Sequence, residues 1–363
     1  MKVDFIISSL GGGGAERVFA LMANSLSKSD DYKISVIILL DGEEVYQFEP
    51  NVKRIKLKQI KYIPSHTFRS IINLIRYYYY ESNRPDVIVS FLTLNNLMAI
   101  IVAKLFSIKI IAQEHTHHLR FMKGRKILTN FTKKHIYKWA DAVTVLTKFD
   151  VNYYKSHNVK VSVMPNPCSF RAITNFSIER EKVILAVGGL NRYHLKGFDN
   201  LIHLIGPVLK KHPDWRLKIL GRSDKDDLEY LKNIAIQNNI INKIIFTGFI
   251  SNVSDVMKNS SIFVLSSRNE GLPMVLIEAM SQGMACIAYN CKTGPSDIIE
   301  DDINGLLIED QNMLKMQNGL DELIKNEPLR KRLSIEGIKS LEKYHVSEIT
   351  KRYEILFNKV INA

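Results

Sequence analysis

The sequence predicts an α/β protein made of two doubly wound parallel sheets, and three observations carry that expectation. Short β-branched apolar runs alternate with helical patterns along the whole chain. The runs are continuous rather than alternating in polarity, which marks strands covered on both faces. A stretch with two prolines and no periodicity, PNPCSFRAITNFSIER at 165–180, interrupts the alternation, which then restarts. With 363 residues the chain is too long for one ordinary core, so this interruption reads as a linker between domains.

Taken in order, VDFIIS is the first strand, followed by a glycine loop and a helix from about Ala15. ISVIIL and VKRIKL are strands, and a helix is expected near 67–81. DVIVSF, a helix near 95–106, KIIAQE, a basic helix, AVTVL and VSVMP complete the first half. KVILAVGGL opens the second half, with a helix after Lys196, then WRLKILG and a helix from about Asp226. KIIFTGF, SIFVLSS, a helix with Pro273 as its first residue, ACIAY and NGLLIE follow. Three helical patterns close the chain, the last beginning at Ser347 with the look of a capping box.

Composition narrows the class. No run reaches the roughly 18 apolar residues of a spanning helix, and LMAIIVAKLF is broken by Lys104. The N-terminus is too short and, at Asp4, too acidic for a signal peptide. Three cysteines, Cys168, Cys286 and Cys291, without pairing or zinc spacing favour a reducing compartment. The net charge of +13 points to phosphates, nucleic acid or an anionic membrane as partners. Residues 53–76 carry Lys53, Arg54, Lys56, Lys58, Lys61, Arg69 and Arg76 with no acid, and residues 119–138 carry Arg120, Lys123, Arg125, Lys126, Lys133, Lys134 and Lys138. Apolar and aromatic residues interleave with these cations, a mixture that suits either a membrane surface or the solvated face of a buried helix.

In parallel sheets ligands gather beyond the carboxyl ends of the strands, so the loops there are the candidates, expected to face a cleft between the domains. SLGGGGAERV places bare backbone N–H groups, including those of Gly13 and Gly14, at a helix start, which suits an anion. A nicotinamide fingerprint would need glycine where Glu16 stands, although Asp41 ends the second strand where a ribose-binding acid could sit. His115, in AQEHTHH, follows a strand and could position a hydroxyl or share charge with a reacting centre, with His117 and His118 close behind. Arg192 and Lys196, in VGGLNRYHLKGF, precede a helix and could clamp a diphosphate. In SSRNEGLPMVLIEAMSQG, Glu270 stands before a helix start and Glu278 lies within the helix, about 7.5 Å further along its axis. Two carboxylates so spaced can accept hydroxyls from two ends of one extended ligand, and Gly271 lets backbone approach it. NCKTGPSDII adds the hydroxyls of Thr293 and Ser296 and the backbone of Gly294.

EGLPMVLIEAMSQG together with TGPSDIIEDDINGLL resembles the family 4 glycosyltransferases, retaining nucleotide-sugar enzymes of the GT-B fold, in which two Rossmann-like domains face an interdomain cleft. Glu270 and Glu278 match their E-x7-E pattern, and GGGGAERV and LKGFDNLI also look like theirs. The resemblance covers nearly the whole chain. It implies an acceptor-binding domain at 1–166, a nucleotide-sugar domain at 167–346, and a final helix at about 347–363 returning to the first.

The same resemblance implies roles. Glu270 would contact donor hexose hydroxyls, and the stretch from Gly271 to Val275, with Leu272, Pro273 and Met274 between them, would bring backbone N–H groups near sugar and phosphates. Glu278 would hold the ribose, Lys196 the diphosphate, and Ile250 would lie near the base. Gly13 and Gly14 would lie near phosphate or acceptor, and His115 near the reacting centre. The family usually has arginine directly after the first glycine of the strand end; here Gly189 stands there, and Arg192 is offered as its substitute.

The function expected is transfer of a hexose or N-acetylhexosamine from a UDP-sugar to a glycan or lipid-linked acceptor in cell-surface polysaccharide synthesis. Configuration would be retained, with the leaving phosphate oxygen taking the acceptor proton. No metal is required, since fixed cations stabilise the leaving diphosphate and the DKD at 224–226 reads as a helix cap. The TGPSDII loop leans toward galactose-type or N-acetylhexosamine donors. The place expected is the cytoplasm, peripheral on the inner face of an anionic cell membrane, with no nucleic-acid partner. The alternatives are an epimerase of the same fold, an NAD-dependent dehydrogenase, and a basic nucleic-acid binder.

Overall fold

Strands that are apolar at nearly every position can be stable only when covered on both sides, and this chain uses them at the centre of each sheet. In the computed structural model, described over residues 1–57, 65–120, 124–175 and 178–363, two all-parallel sheets form. The first contains β1 (Lys2–Ile7), β2 (Lys33–Ile38), β3 (Lys53–Lys56), β4 (Val87–Phe91), β5 (Lys109–Gln113), β6 (Ala142–Val145) and β7 (Val161–Val163). Its order is β3-β2-β1-β4-β5-β6-β7. The second contains β8 (Glu181–Val187), β9 (Arg216–Leu220), β10 (Ile244–Gly248), β11 (Ser260–Leu265), β12 (Ala285–Asn290) and β13 (Leu306–Glu309), in the order β10-β9-β8-β11-β12-β13. β4 and β11, central in their sheets, are buried throughout, whereas the edge strand β3 is largely exposed.

The chain divides into two compact units, residues 1–169 with 344–363, and residues 170–343. In the first, the helix Val346–Ile361 packs on the helix Gly14–Leu26, with Ser25 Oγ and Thr350 Oγ1 2.8 Å apart. Tyr353 of that helix donates its hydroxyl hydrogen to Gln113 Oε1 at 2.7 Å, two residues before His115. The helices His66–Tyr78 and Thr93–Leu105 and the turn Thr132–Ile136 pack side by side, over a core that includes Leu74, Tyr78, Met98, Ile110 and Tyr137. In the second unit, the helices Phe198–Lys211 and Met313–Lys325 pack together over Ile184, Ile219, Ile262 and Ile287. Among the described residues no helix is long and apolar enough to cross a membrane.

Three local expectations need correction. Ser347 does not cap the last helix: His345 does, by its extended backbone, and Ser347 lies in the first turn. Pro273 is the residue before the helix Met274–Ser281 rather than its first member. Lys133 is not a surface cation. The turn Thr132–Ile136 is π-helical, and its wider winding carries Lys133 inward, where Nζ donates to the carbonyls of His118 (3.3 Å) and Arg120 (3.1 Å). Lys58, Lys61 and Lys123 lie outside the described residues.

Candidate functional site

Because every strand in each sheet runs the same way, the loops after the strands collect at one edge, and strand order decides which loops touch. In the second sheet β8 and β11 are neighbours. The loop after β8 carries Lys196 and the loop after β11 carries Glu270, and Lys196 Nζ donates to Glu270 Oε1 at 2.7 Å. Lys196 ends the short helical turn Tyr193–Lys196, which stops at Gly197 in a left-handed conformation (φ 68°). A side chain at Gly197 would collide with the Ser266 carbonyl, so the glycine both reverses the chain and lets the two loops close together. Ser266 Oγ donates to the Lys196 carbonyl at 2.9 Å, and Arg268 N–H to the Leu195 carbonyl at 2.9 Å.

Ser267 Oγ also donates to Glu270 Oε1, at 2.6 Å. Both donors thus fall on one oxygen, and among the described residues Oε2 accepts no hydrogen bond. The Glu270 side chain is largely enclosed, with 11% of its surface exposed. A carboxylate oriented by an ammonium and a hydroxyl, with its second oxygen uncommitted, is arranged to accept hydroxyl groups.

Gly271 follows, and β11 and β12 are also neighbours, so the loop after β12 reaches it. Gly294 adopts φ 100°, and a Cβ there would meet the Gly271 carbonyl oxygen at 2.5 Å and Pro273 Cδ at 2.7 Å. Thr293 Oγ1 lies 3.4 Å from the Gly271 carbonyl. Gly294 therefore backs the turn that presents Glu270. Leu272 and Met274 are buried, and Pro273 has no N–H, so of residues 271–275 it is the one that can donate nothing from its backbone. Glu278 is the fifth residue of the helix and is buried; its carbonyl accepts from Ser281 Oγ at 2.7 Å. Ile250 follows β10, three strands from β11, and is half-buried.

Arg192 does not join Lys196. It ends the short turn Leu190–Arg192, is exposed, and its guanidinium has no hydrogen-bond or ion-pair partner among the described residues. The loop behind it is held by Leu190 N–H donating to the Arg222 carbonyl at 2.7 Å.

In the first unit, β1 runs into the glycine loop. Gly12 is left-handed (φ 100°), Gly13 is the cap and Gly14 the first residue of the helix Gly14–Leu26. The Gly13 carbonyl accepts from Arg17 N–H and from the Tyr46 hydroxyl, each at 3.1 Å. Glu16 folds back so that a side chain at Gly13 would collide with its carboxylate. A negative charge thus already stands at this helix start, where an anion was expected.

His115 follows β5, and its ring stacks on Phe91, at the end of β4, with centroids 5.0 Å apart and planes 12° from parallel. Both ring nitrogens are shielded from solvent and neither makes a hydrogen bond of normal geometry among the described residues. Burial pushes the imidazole pKa down to about 4, with the Asn166 side chain acting the other way. The ring is neutral at neutral pH, which suits positioning rather than sharing a charge. His118 is tied elsewhere: its Nδ1 and backbone N–H both lie 2.7 Å from Asp150 Oδ1, and its ring stacks on Tyr153. Leu92, after Phe91, holds φ 76°, a costly conformation for leucine, while its N–H donates to the Gln113 carbonyl at 3.0 Å.

Sequence reasoning missed Ser267, Phe91, Asn166 and the buried role of Lys133. Only Ser267 left a trace, as a hydroxyl three residues before Glu270.

A family model described as glycosyl transferases group 1 matches residues 172–340, and one described as glycosyltransferase family 4 matches residues 12–169. An uncharacterized glycosyltransferase of Haemophilus influenzae is 30% identical over 358 residues, covering 97% of this chain and 99% of its own. A Campylobacter jejuni relative is 28% identical over 374 residues, covering 100% of both chains. It is named as an α-1,4-N-acetyl-D-galactosaminyltransferase acting on a GalNAc-containing diphospho-undecaprenol glycan. A solved structure of an Anabaena protein, HepE, in complex with UDP, superposes with a TM-score of 0.77 at 13% identity, covering 99% of this chain and 100% of that one.

Proposed function

The chain belongs to the family 4, group 1 glycosyltransferases, with the GT-B fold of two Rossmann-like domains, and on that premise we propose that it is a retaining, UDP-sugar-dependent transferase. It moves a hexose or N-acetylhexosamine to a glycan or lipid-linked acceptor in cell-surface polysaccharide synthesis, at the cytoplasmic face of the membrane. The observation that carries this reading is Lys196 held 2.7 Å from Glu270, with Glu278 on the helix that follows. A donor whose hexose hydroxyls reach Glu270 sets its diphosphate beside the Lys196 ammonium, and Glu278 takes the ribose. Gly271, Leu272, Met274 and Val275 line the donor with backbone, Pro273 shapes the turn, and Ile250 lies toward the base. Arg192, unpaired and exposed, can swing to the diphosphate.

The reaction breaks the bond between the anomeric carbon and the diphosphate oxygen and forms one from the acceptor oxygen on the same face. The acceptor proton passes to the departing phosphate oxygen. Lys196 and Arg192 supply the charge that stabilises the diphosphate, so no metal is needed. Neutral His115, with Gly13 and Gly14, orients the acceptor side. The relative that acts on an undecaprenol-linked glycan supports a lipid-linked acceptor, and its N-acetylgalactosamine supports an N-acetylhexosamine or galactose-type donor. The UDP held by HepE supports the nucleotide.

Thermal unfolding with UDP, GDP, ADP or NAD tests the reading. UDP raises the melting temperature, as a ligand that binds only the folded state must. A shift with NAD alone would return the chain to dehydrogenase chemistry, a UDP-sugar converted without any acceptor would make it an epimerase, and a product of inverted configuration would reject the same-face step.

A further inference from the structure

The amino-terminal edge of the second sheet, opposite the edge that carries Glu270, holds a cavity of about 470 Å³. Lys182, Ser261 and Ala285, from the first residues of β8, β11 and β12, line it. So do Glu327, Arg330, Lys331, Ser334 and Ile335, which form one face of the helix Glu327–Lys339. Arg180, just before β8, also lines it, and it meets that helix at one turn. Arg180 Nη2 donates to the Gln282 carbonyl at 2.7 Å, and Ser334 Oγ donates to the next carbonyl, that of Gly283, at 2.6 Å.

Two half-buried guanidiniums in this wall have donors to spare. Arg180 Nη1 donates to the carbonyls of Met257 (3.3 Å) and Ser260 (2.9 Å). With Gln282 taken by Nη2, its Nε–H and one Nη2 hydrogen have no acceptor among the described residues. Arg330 Nη1 donates to the carbonyls of Leu323 and Ile324, and its guanidinium carbon lies 5.5 Å from the centre of the Trp215 ring. Its Nε and Nη2 are likewise uncommitted among the described residues. Neither arginine has an ion-pair partner among the described residues, whereas Lys182 is held by Asp214 at 2.6 Å and Lys331 by Glu327 at 2.8 Å. Burial pulls the pKa of both guanidiniums down, with Glu327 acting the other way on Arg330. An arginine stays charged all the same, and a partly dehydrated cation without a carboxylate is stabilised by an anion that comes to it.

We propose that this cavity is a second ligand site, separate from the donor edge, and that it takes a phosphorylated monosaccharide with its phosphate on Arg180 and Arg330. Neighbouring guanidinium N–H groups fit the oxygens of a phosphate. The rest of the wall fits a sugar. Ser261 and Ser334 give their hydrogens to the Glu181 and Gly283 carbonyls, so both hydroxyl oxygens keep lone pairs for sugar hydroxyls. Ile335 and Ala285 supply an aliphatic surface, and the volume is that of a small-molecule site rather than of a bare ion. Nucleotide ligands of parallel sheets collect at the carboxyl ends of the strands. This cavity lies at the amino ends, so both ligands can be held at once, and its residues are independent of whatever the Glu270 edge binds.

The experiment is isothermal titration of the full chain with glucose 1-phosphate, glucose 6-phosphate, inorganic phosphate and glucose at constant ionic strength. A sugar phosphate binds at one site per chain, inorganic phosphate binds about tenfold more weakly, and glucose does not bind measurably. The sugar phosphate still binds with UDP in excess and in Lys196→Met, which alters the donor edge. Arg330→Gln weakens it by about 10- to 100-fold, the value of a lost charge-assisted contact. Because Arg330 also holds two carbonyls, Ile335→Glu is the second variant. It puts a carboxylate at the half-buried Ile335 without removing a hydrogen bond, and it weakens binding at least as much while the urea midpoint stays near that of the parent. Lys232→Gln, which removes a charge from the exposed face of the helix Lys225–Gln237, leaves binding unchanged. Failure of both sugar phosphates to bind overturns the proposal, as does unchanged binding in folded Ile335→Glu. So does an equal loss in Lys232→Gln, which would mean general charge attraction. Competition by UDP together with loss in Lys196→Met would put the ligand at the donor edge instead. Inorganic phosphate binding as tightly as the sugar phosphates would leave an adventitious ion only.

Discussion

Replacing Lys196 by methionine removes the ammonium while keeping the length of the side chain, and the ion pair with Glu270 gives the size of the effect. At 2.7 Å and an effective dielectric of ~20, the gross attraction is about 6 kcal/mol. Most of it offsets the loss of water around two groups that are only 20% and 11% exposed. Glu270 would keep the Ser267 hydroxyl on the same oxygen. We expect a net stability loss of about 1–2 kcal/mol in urea unfolding. Turnover at saturating donor should fall by about 10²- to 10³-fold, since the cation that meets the leaving diphosphate is gone. Nucleotide release measured alongside the urea curves separates the two effects, and Ser267→Ala, which perturbs Glu270 without touching the cation, is the control. If Lys196→Met lost stability as described yet turned over within about threefold of the parent, Lys196 would be a structural partner of Glu270 and the donor placement would be wrong.

Gly294→Ala should cost about 2–4 kcal/mol, because a Cβ at φ 100° is strained and would press on the Gly271 carbonyl and Pro273; a melting temperature within a degree of the parent would contradict this. His115 is neutral in the fold down to about pH 4, whereas the unfolded chain takes up its proton near 6.5. Its contribution, about 3 kcal/mol at most, is therefore fully present above pH 6.5 and lost as the pH falls from there through 4. His115→Phe should flatten the acid limb of stability against pH, and the rate profile of the parent should show no imidazole step near 6.5. Lys133→Met leaves two carbonyls without their donor and should cost about 1–3 kcal/mol, with amide exchange quickened at residues 115–120 more than in the second unit.

The strands were legible because burial on both faces writes itself as unbroken apolar runs; β4 and β11 are the clearest cases. Glu270 and Lys196 stood out singly, as polar residues after apolar strands. Their contact did not, because it depends on β8 lying beside β11 across 74 residues of sequence. Gly294 read as a backbone donor near the ligand, and its need to be glycine stayed hidden for the same reason: what demands it is the Gly271 carbonyl from another loop. Lys133 was misread because its sequence surroundings, KKHIYK, look like a solvated basic face, and nothing local announces that the turn widens and rotates one lysine inward. Ser347 carried the right chemistry for a cap but sits two residues past the position that needed one.

The helix Val346–Ile361 has a consequence for biosynthesis. Its partners, Gln113 and the helix Gly14–Leu26, leave the ribosome hundreds of residues before it does. The segment 170–343 can finish its own core on the way out, while the earlier-made half waits, with one side uncovered, for the last residues to arrive. Nascent chains arrested short of Tyr353 should therefore be a preferred client of holding chaperones. A carboxyl-terminal deletion, though remote in sequence from His115, would act on the strand that carries it.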